Sequence, residues 1–273
     1  MAVRFDADGE HPAGLALGIT LSAYTAIAFF KRVVDRNGYS TVFCIDRTVT
    51  TDDWAILQTL SNGTTGSLDV QNGTTHNMGT WVTNQWYAVS VTYAPGVADT
   101  GQITYLQPIG GALVVDDTTS ASNTGFTHFR IGDDVFTGEW FNGSIEGVKL
   151  WDHVLTQVEV EAEFAQLLAL KTSGLLGSWP MQDDTDWDDY SAAGRDLTPG
   201  TGMATDAGDS GVPLGTLGGG APPLRVRPLS TLLSLSLLRE RPPSMALLLL
   251  RPLSLSRLQV GFLKPPKLLC LLP

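Results

Sequence analysis

Cysteine is nearly absent from this 273-residue chain: Cys44 and Cys270 are its only two, and they lie in segments of opposite composition. No disulfide framework can therefore be read from them, and the fold must stand unstapled. Long apolar runs are missing as well. The purest, Leu247–Leu250, is bracketed by Pro243 and Pro252 and falls far short of the roughly 18 to 20 apolar residues of a membrane-spanning helix. Basic side chains are scarce over most of the length: residues 1–212 carry nine Lys or Arg against 27 Asp or Glu, a net charge of −18. Nucleic acid is thereby disfavoured as a partner, because phosphate binding draws its affinity from clustered Lys and Arg.

What remains is globular in character, with 43% hydrophobic residues, 16% charged and 29 Gly. A body of about 212 residues buries roughly 70% of the surface its unfolded chain would expose, enough for a real core. The end differs. Residues 213–273 hold 21 Leu and 10 of the 15 Pro, with eight Lys or Arg against the single Glu240, and no Asp, Asn, Ile, Tyr, Trp or His. Their leucines follow neither a period of two nor of 3.6 and lack the segregated apolar face of a surface anchor. A flexible basic tail and a C/T-rich stretch translated in an unintended frame both give this composition, so the folded domain is expected to be residues 1–212.

Between residues 1 and 155, short apolar or alternating runs are separated by turn residues, the pattern of an antiparallel β protein. In Gln85–Ala94, Tyr87, Val89, Val91 and Tyr93 fall on one face of a strand and Ala88, Ser90 and Thr92 on the other. Further strands are expected at Tyr24–Val33, Ser40–Ile45, Trp54–Leu60, Gln102–Leu106, His128–Ile131, Ser144–Trp151 and Leu175–Met181. Asn37-Gly38, Asn62-Gly63, Asn72-Gly73 and Asn142-Gly143 supply the positive-φ residues of tight hairpin turns. Three of these pairs also match Asn-x-Ser/Thr, for which turn chemistry is the better explanation. One segment breaks the pattern: Thr156-Gln-Val-Glu159 has capping-box spacing, and Val160, Phe164, Leu167 and Leu168 follow helical spacing. This predicts a helix of about four turns, ended by Gly174.

Three stretches together resemble a known family. They are Tyr24-Thr-Ala-Ile-Ala-Phe-Phe-Lys31, Trp86-Tyr-Ala-Val-Ser-Val-Thr-Tyr93, and Phe129-Arg-Ile-Gly132 followed by Phe141-Asn-Gly-Ser-Ile-Glu-Gly-Val-Lys-Leu-Trp151. With His153-Val-Leu-Thr-Gln-Val-Glu159, which is similar to the family's short helix, they resemble the laminin-G-like domains of the concanavalin A-like lectin and glucanase superfamily. The resemblance implies an all-β, two-sheet antiparallel jelly-roll sandwich whose curved face and rim loops bind carbohydrate or protein, often beside calcium. Members also serve in phage particles and bacterial surface assemblies. Met1–Gly9 has no apolar region behind a basic one, so no secretory signal is expected. Synthesis in the cytoplasm is then expected, with the chain either intracellular or exported by other means, a virion or cell surface being one destination.

Fold does not settle function; the residues must carry each chemistry. Glucanases of this fold use a Glu-x-Asp strand motif, because retaining hydrolysis needs two carboxyl groups about 5 Å apart. No Glu-x-Asp occurs in this chain, and Glu159, Glu161 and Glu163 fall on the predicted helix. His11, His76, His128 and His153 are scattered, no zinc spacing or phosphate loop is present, and Cys44 lies mid-strand. A non-enzyme is expected. Calcium takes oxygen ligands, and the Asp183–Asp189 run offers many, yet an EF-hand fails because its sixth position is Asp189 and its twelfth Arg195. A weaker site remains, shared by Asp6 and Asp8 from the first segment with Asp186 and Asp189 from the last. For sugar, aromatic walls with a few polar anchors are required. Trp140, Glu139 and Asn142 at one loop edge and Trp187 in the acidic loop are the candidates. Trp54, Trp86, Trp151 and Trp179 are expected in the core, and Trp81 is unassigned. The expected partner is a glycan or a surface protein, with assembly into a larger particle as the alternative.

Overall fold

A computed structural model describes residues 1–6, 12, 14–33, 38–47, 54–61, 65–71, 75–96, 101–118, 125–133 and 139–219. Asp8, His11, the Asn-Gly pairs at 62 and 72, and everything beyond residue 219 lie outside them.

The described strands are β1 (Ala2–Phe5), β2 (Leu15–Leu21), β3 (Tyr24–Arg32), β4 (Gly38–Asp46), β5 (Trp54–Ser61), β6 (Thr65–Gln71), β7 (Thr75–Val82), β8 (Trp86–Tyr93), β9 (Gln102–Pro108), β10 (Val114–Thr118), β11 (Phe126–Ile131), β12 (Gly143–Trp151), β13 (Leu175–Trp179) and β14 (Ala204–Asp206). They form two antiparallel sheets. The larger runs β10-β9-β8-β3-β12-β1-β14, with β13 also paired to β12; the smaller runs β2-β11-β4-β5-β6-β7. This is the expected jelly-roll sandwich.

Alternation builds the core between the sheets. Tyr87, Val89, Val91 and Tyr93 of β8 point inward, as their spacing predicts, and meet Phe43 and Ile45 of β4 and Phe129 and Ile131 of β11. Rings interlock there, with Phe129 stacked on Trp179 at 5.8 Å and Tyr24 stacked on Tyr93 at 5.4 Å. Each such side chain contributes roughly 1.5 to 3 kcal/mol by burial. Trp86, Trp151 and Trp179 are buried as expected, and so is Trp81, whose ring lies under the Arg32 guanidinium at 4.7 Å.

The other face of the larger sheet is buried too. Ile27, Phe29, Ala88, Tyr105 and Trp151 pack against Leu155, Val160, Phe164, Leu167 and Ala169. This outer layer is a helix, α1 (Gln157–Glu163), and the chain that follows it. The capping box is present, with the Thr156 hydroxyl accepting from the Glu159 amide and the Glu159 carboxylate from the Thr156 amide. Yet α1 ends after seven residues, short of the four turns expected. The backbone beyond it finds better partners elsewhere. The buried Lys149 ammonium donates to the carbonyls of Glu163 and Gln166, both at 2.7 Å, and to Glu163 Oε2 at 2.8 Å. The Glu163 carboxylate accepts from the amides of Leu170 and Lys171, while Leu167 and Leu168 donate to the carbonyls of Pro213 and Leu214. Gly174 does not end the helix; it turns the chain into β13 at φ +66.

The packed chain thus runs past residue 212, since Gly218 also donates to the Ala169 carbonyl at 2.8 Å. Asn142-Gly143 makes no hairpin. Gly143 opens β12, where an added Cβ would lie 2.3 Å from the Lys31 carbonyl oxygen, so close strand approach explains the glycine.

Candidate functional site

The two sheets differ in what covers them. In the larger, β8 and β12 are buried at every position, the mark of strands covered on both faces. In the smaller, β2 and β11 alternate between buried and partly exposed residues, so their outer face meets solvent.

On that face a charged cluster crosses the ladder. Register sets His128 of β11 opposite Ala16 of β2 on one side and Asp46 of β4 on the other. Asp46 is fully buried; Arg130 Nε donates to its Oδ2 at 3.0 Å, and His128 Nδ1 lies 3.6 Å from its Oδ1. Thr127 Oγ1 donates to the Arg47 carbonyl and so accepts from His128 Nδ1 at 2.9 Å. That assignment puts the imidazole proton on Nδ1 and leaves Nε2 as an acceptor in the neutral ring.

Beside the cluster the pairing of β2 with β11 is interrupted. Phe126 faces Leu21 and His128 faces Ala16, so Leu17 to Thr20 bulge against the single residue Thr127. Gly18 takes φ +69 within this bulge, a conformation that glycine adopts without steric cost. The bulge opens a groove of about 280 Å³ lined by Ala16, Gly18, Ile19, Thr20, Thr127 and His128. Bulges of this kind often re-aim side chains beside sites.

The candidates from the sequence fare unequally. Glu139 and Trp140 are half-buried, and the Glu139 carbonyl accepts from the Thr41 amide of β4, which ties this rim segment to the smaller sheet. Phe141 anchors the segment in the core between Phe5 and Phe30, at 6.3 and 6.1 Å. Asn142 is turned inward, 8% exposed, with its Oδ1 sealed from solvent. Trp187 is a correction: only 4% exposed, it belongs to the core between the sheets and donates from Nε1 to the Asp184 carbonyl. No face of its ring is open to a sugar.

The acidic loop relieves its like-charge repulsion with backbone amides. Asp189, fully buried, accepts from the amides of Ser178, Ser191 and Arg195 and from the Ser191 hydroxyl, between 2.7 and 2.9 Å. Those four bonds occupy about as many lone-pair sites as a carboxylate has, so Asp189 is spent as a turn anchor. Asp183 accepts from the amide and hydroxyl of Thr185. Asp6 pairs with Arg4 at 3.1 Å, and Asp186 is buried. Among the described residues no three His, Cys, Asp or Glu side chains are placed to hold a metal. Of the carboxylates singled out for calcium, Asp189 is committed to these amides, and Asp8 lies outside the described residues.

The charged outer face escaped the sequence reading. Its signal was the alternation His128-Phe129-Arg130-Ile131, which predicts a strand with two polar residues on its solvent side.

Two facing antiparallel sheets, the larger covered by a helical layer and the smaller open to solvent along β2 and β11, define a lectin-type sandwich. The chain belongs to the laminin-G-like family of the concanavalin A-like lectin/glucanases superfamily, whose model matches residues 9–161. No curated protein matches it. Among solved structures, a candidate carbohydrate-binding protein from Bacteroides ovatus overlays with TM-score 0.52 at 18% identity, covering 76% of this chain and 60% of that one. The enzymatically active domain of tailspike protein 2 from bacteriophage CBA120 gives 0.46 at 14% identity, covering 59% of this chain and 26% of that one. A Ruminococcus gnavus sialidase module, CBM40, bound to α2,3 sialyllactose gives 0.40 at 16% identity, covering 59% and 94%. The chain spans less than two thirds of the first two proteins.

Proposed function

We propose that this domain is a non-catalytic carbohydrate-recognition module that binds its glycan across the outer face of the smaller sheet and the adjoining Glu139–Trp140 rim. One observation carries this: the outer face of β2 and β11 is open, with a groove, whereas β8 and β12 of the larger sheet are buried at every position. The Thr41–Glu139 hydrogen bond sets the rim beside β4, and five residues further along the same strand stands Asp46. At about 3.4 Å per residue the two ends lie roughly 17 Å apart, a span suited to an oligosaccharide.

The test is a glycan-array screen of the full chain, with and without a chelator. Binding that is lost on Trp140→Ala, with the melting temperature unchanged, supports the proposal. No binding to any glycan, together with self-assembly on a sizing column, would favour a structural component of a phage particle or surface assembly. Release of reducing ends would make it an enzyme.

A further inference from the structure

The β2–β11 groove has no Lys, Arg, Asp or Glu among its lining residues, and residues 1–212 around it carry a net charge of −18. An anionic ligand would meet repulsion there with nothing to offset it, so a neutral one fits. What the groove offers in hydrogen bonds is one-sided. Thr127 has spent its hydroxyl proton on the Arg47 carbonyl. Two acceptors face His128 Nδ1, Thr127 Oγ1 at 2.9 Å and the buried Asp46 Oδ1 at 3.6 Å, which hold the proton of the neutral ring on Nδ1 and leave Nε2 a bare acceptor. Among the described residues no donor reaches Nε2. The exposed Thr20 hydroxyl, which bonds to nothing among the same residues, is the side-chain donor left over in the lining. The rest is apolar: Ile19 is 39% exposed, and Ala16 and Gly18 beside it present a methyl and no side chain at all. At about 280 Å³ the groove is at the small end of ligand sites, which begin near 300 Å³, and so takes a single sugar residue.

We propose that this groove recognises a neutral N-acetylated sugar residue by its acetamido group, whose N–H donates to His128 Nε2, whose carbonyl accepts from Thr20 Oγ1 and whose methyl packs against Ala16 and Ile19. An acetamido group carries a donor, an acceptor and a methyl in one planar unit, and the groove presents the complement of each. A sugar hydroxyl in the same place could donate to Nε2 but would leave Ala16 and Ile19 uncovered, and an apolar wall with a few placed polar groups is what fixes a ligand's orientation. A site built around an acceptor also discriminates against analogues that leave it unpaired. This inference rests on the carbohydrate-binding proposal and names the sugar class for it.

The test titrates the full chain calorimetrically with the methyl glycosides of N-acetylglucosamine and N-acetylgalactosamine, each against the methyl glycoside of its parent hexose, glucose or galactose. Each pair differs only in the acetamido group. The N-acetylated sugar is expected to bind about tenfold or more tightly than the hexose, with an affinity that does not fall as salt rises. Thr20→Val, an exposed isosteric change, should lower affinity for the N-acetylated sugar and leave that for the hexose unchanged, and His128→Phe, which keeps a ring without an acceptor, should do so more strongly. Because the change at His128 also removes its contacts to Thr127 and Asp46, Ala16→Trp provides a further variant: it fills the groove from β2 without altering those contacts and should abolish binding of the N-acetylated sugar. Equal affinity for the N-acetylated sugar and the hexose, or N-acetylated binding that survives Ala16→Trp, overturns the inference. If other glycans bind while neither N-acetylated glycoside does, the groove inference fails and the module survives; if no glycan binds at all, both fail.

Discussion

Replacing Lys149 by Met removes the fastening between β12 and the chain that leaves α1. Lys149 Nζ is fully buried and gives all three of its protons to Glu163 and Gln166 oxygens, and it lies 5.5 Å from the Phe29 ring centre. Burial pulls its pKa down to about 8, against the opposing pull of Glu163, so the ammonium persists at pH 7. Without it, the Glu163 carboxylate is left in the interior with only the amides of Leu170 and Lys171, and two carbonyls lose their donor. Removing one partner of a buried pair costs about 3 to 5 kcal/mol. For a domain of this size each kcal/mol moves Tm by about 2 to 4 °C, so a fall of roughly 6 to 20 °C is expected. Urea and thermal unfolding of Lys149→Met, Glu163→Gln and the double variant measure it. The double variant should lose less than the two single losses together, because the stranded charge is gone. A loss below about 1 kcal/mol in Lys149→Met would refute the claim that this pair holds the outer layer and sets where α1 stops.

Further outcomes follow from other contacts. Burial pushes the Asp206 carboxyl up, but Lys31 at 2.8 Å, Ser144 Oγ at 2.5 Å and the Gly208 amide outweigh it and hold the pKa at about 2 instead of 3.8. A depressed carboxylate pKa stabilises fully above about pH 4 and loses that contribution as pH falls towards 2; it amounts to about 2 kcal/mol, so Asp206→Asn should flatten the acid limb of a stability profile over that window. Gly143→Ala drives a methyl into the Lys31 carbonyl and should cost about 3 kcal/mol or more, read from the urea midpoint. Trp187→Ala should destabilise by about 3 to 5 kcal/mol, whereas Trp140→Ala should alter binding and not folding. A chain ending at residue 219 should melt higher than one ending at 212, because Pro213, Leu214 and Gly218 bond to the segment after α1.

Much of the fold was legible because period-two patterning is a local property. Tyr87, Val89, Val91 and Tyr93 face the inter-sheet core as their spacing requires, and Thr156 and Glu159 cap α1 as theirs does. What depended on distant partners was not. The helix stops at Glu163 because Lys149, fourteen residues earlier in the chain, takes up its carbonyl. Likewise the Asp-rich run resembled a cation site, although Ser178, Ser191 and Arg195 amides already satisfy Asp189. Trp187 sits among polar neighbours in sequence and among apolar ones in space. Asp46 and His128 are far apart in the chain, and only the β4–β11 register unites them.

Hydrogen exchange of the full chain, with and without a bound oligosaccharide, tests the central claim most directly. Protection confined to Leu15–Leu21, Phe126–Ile131 and the Glu139–Trp140 rim is the predicted result. Protection centred on Gln157–Glu163 or on Trp86–Tyr93 would contradict it, since it would put the ligand on the sheet whose two faces are already covered.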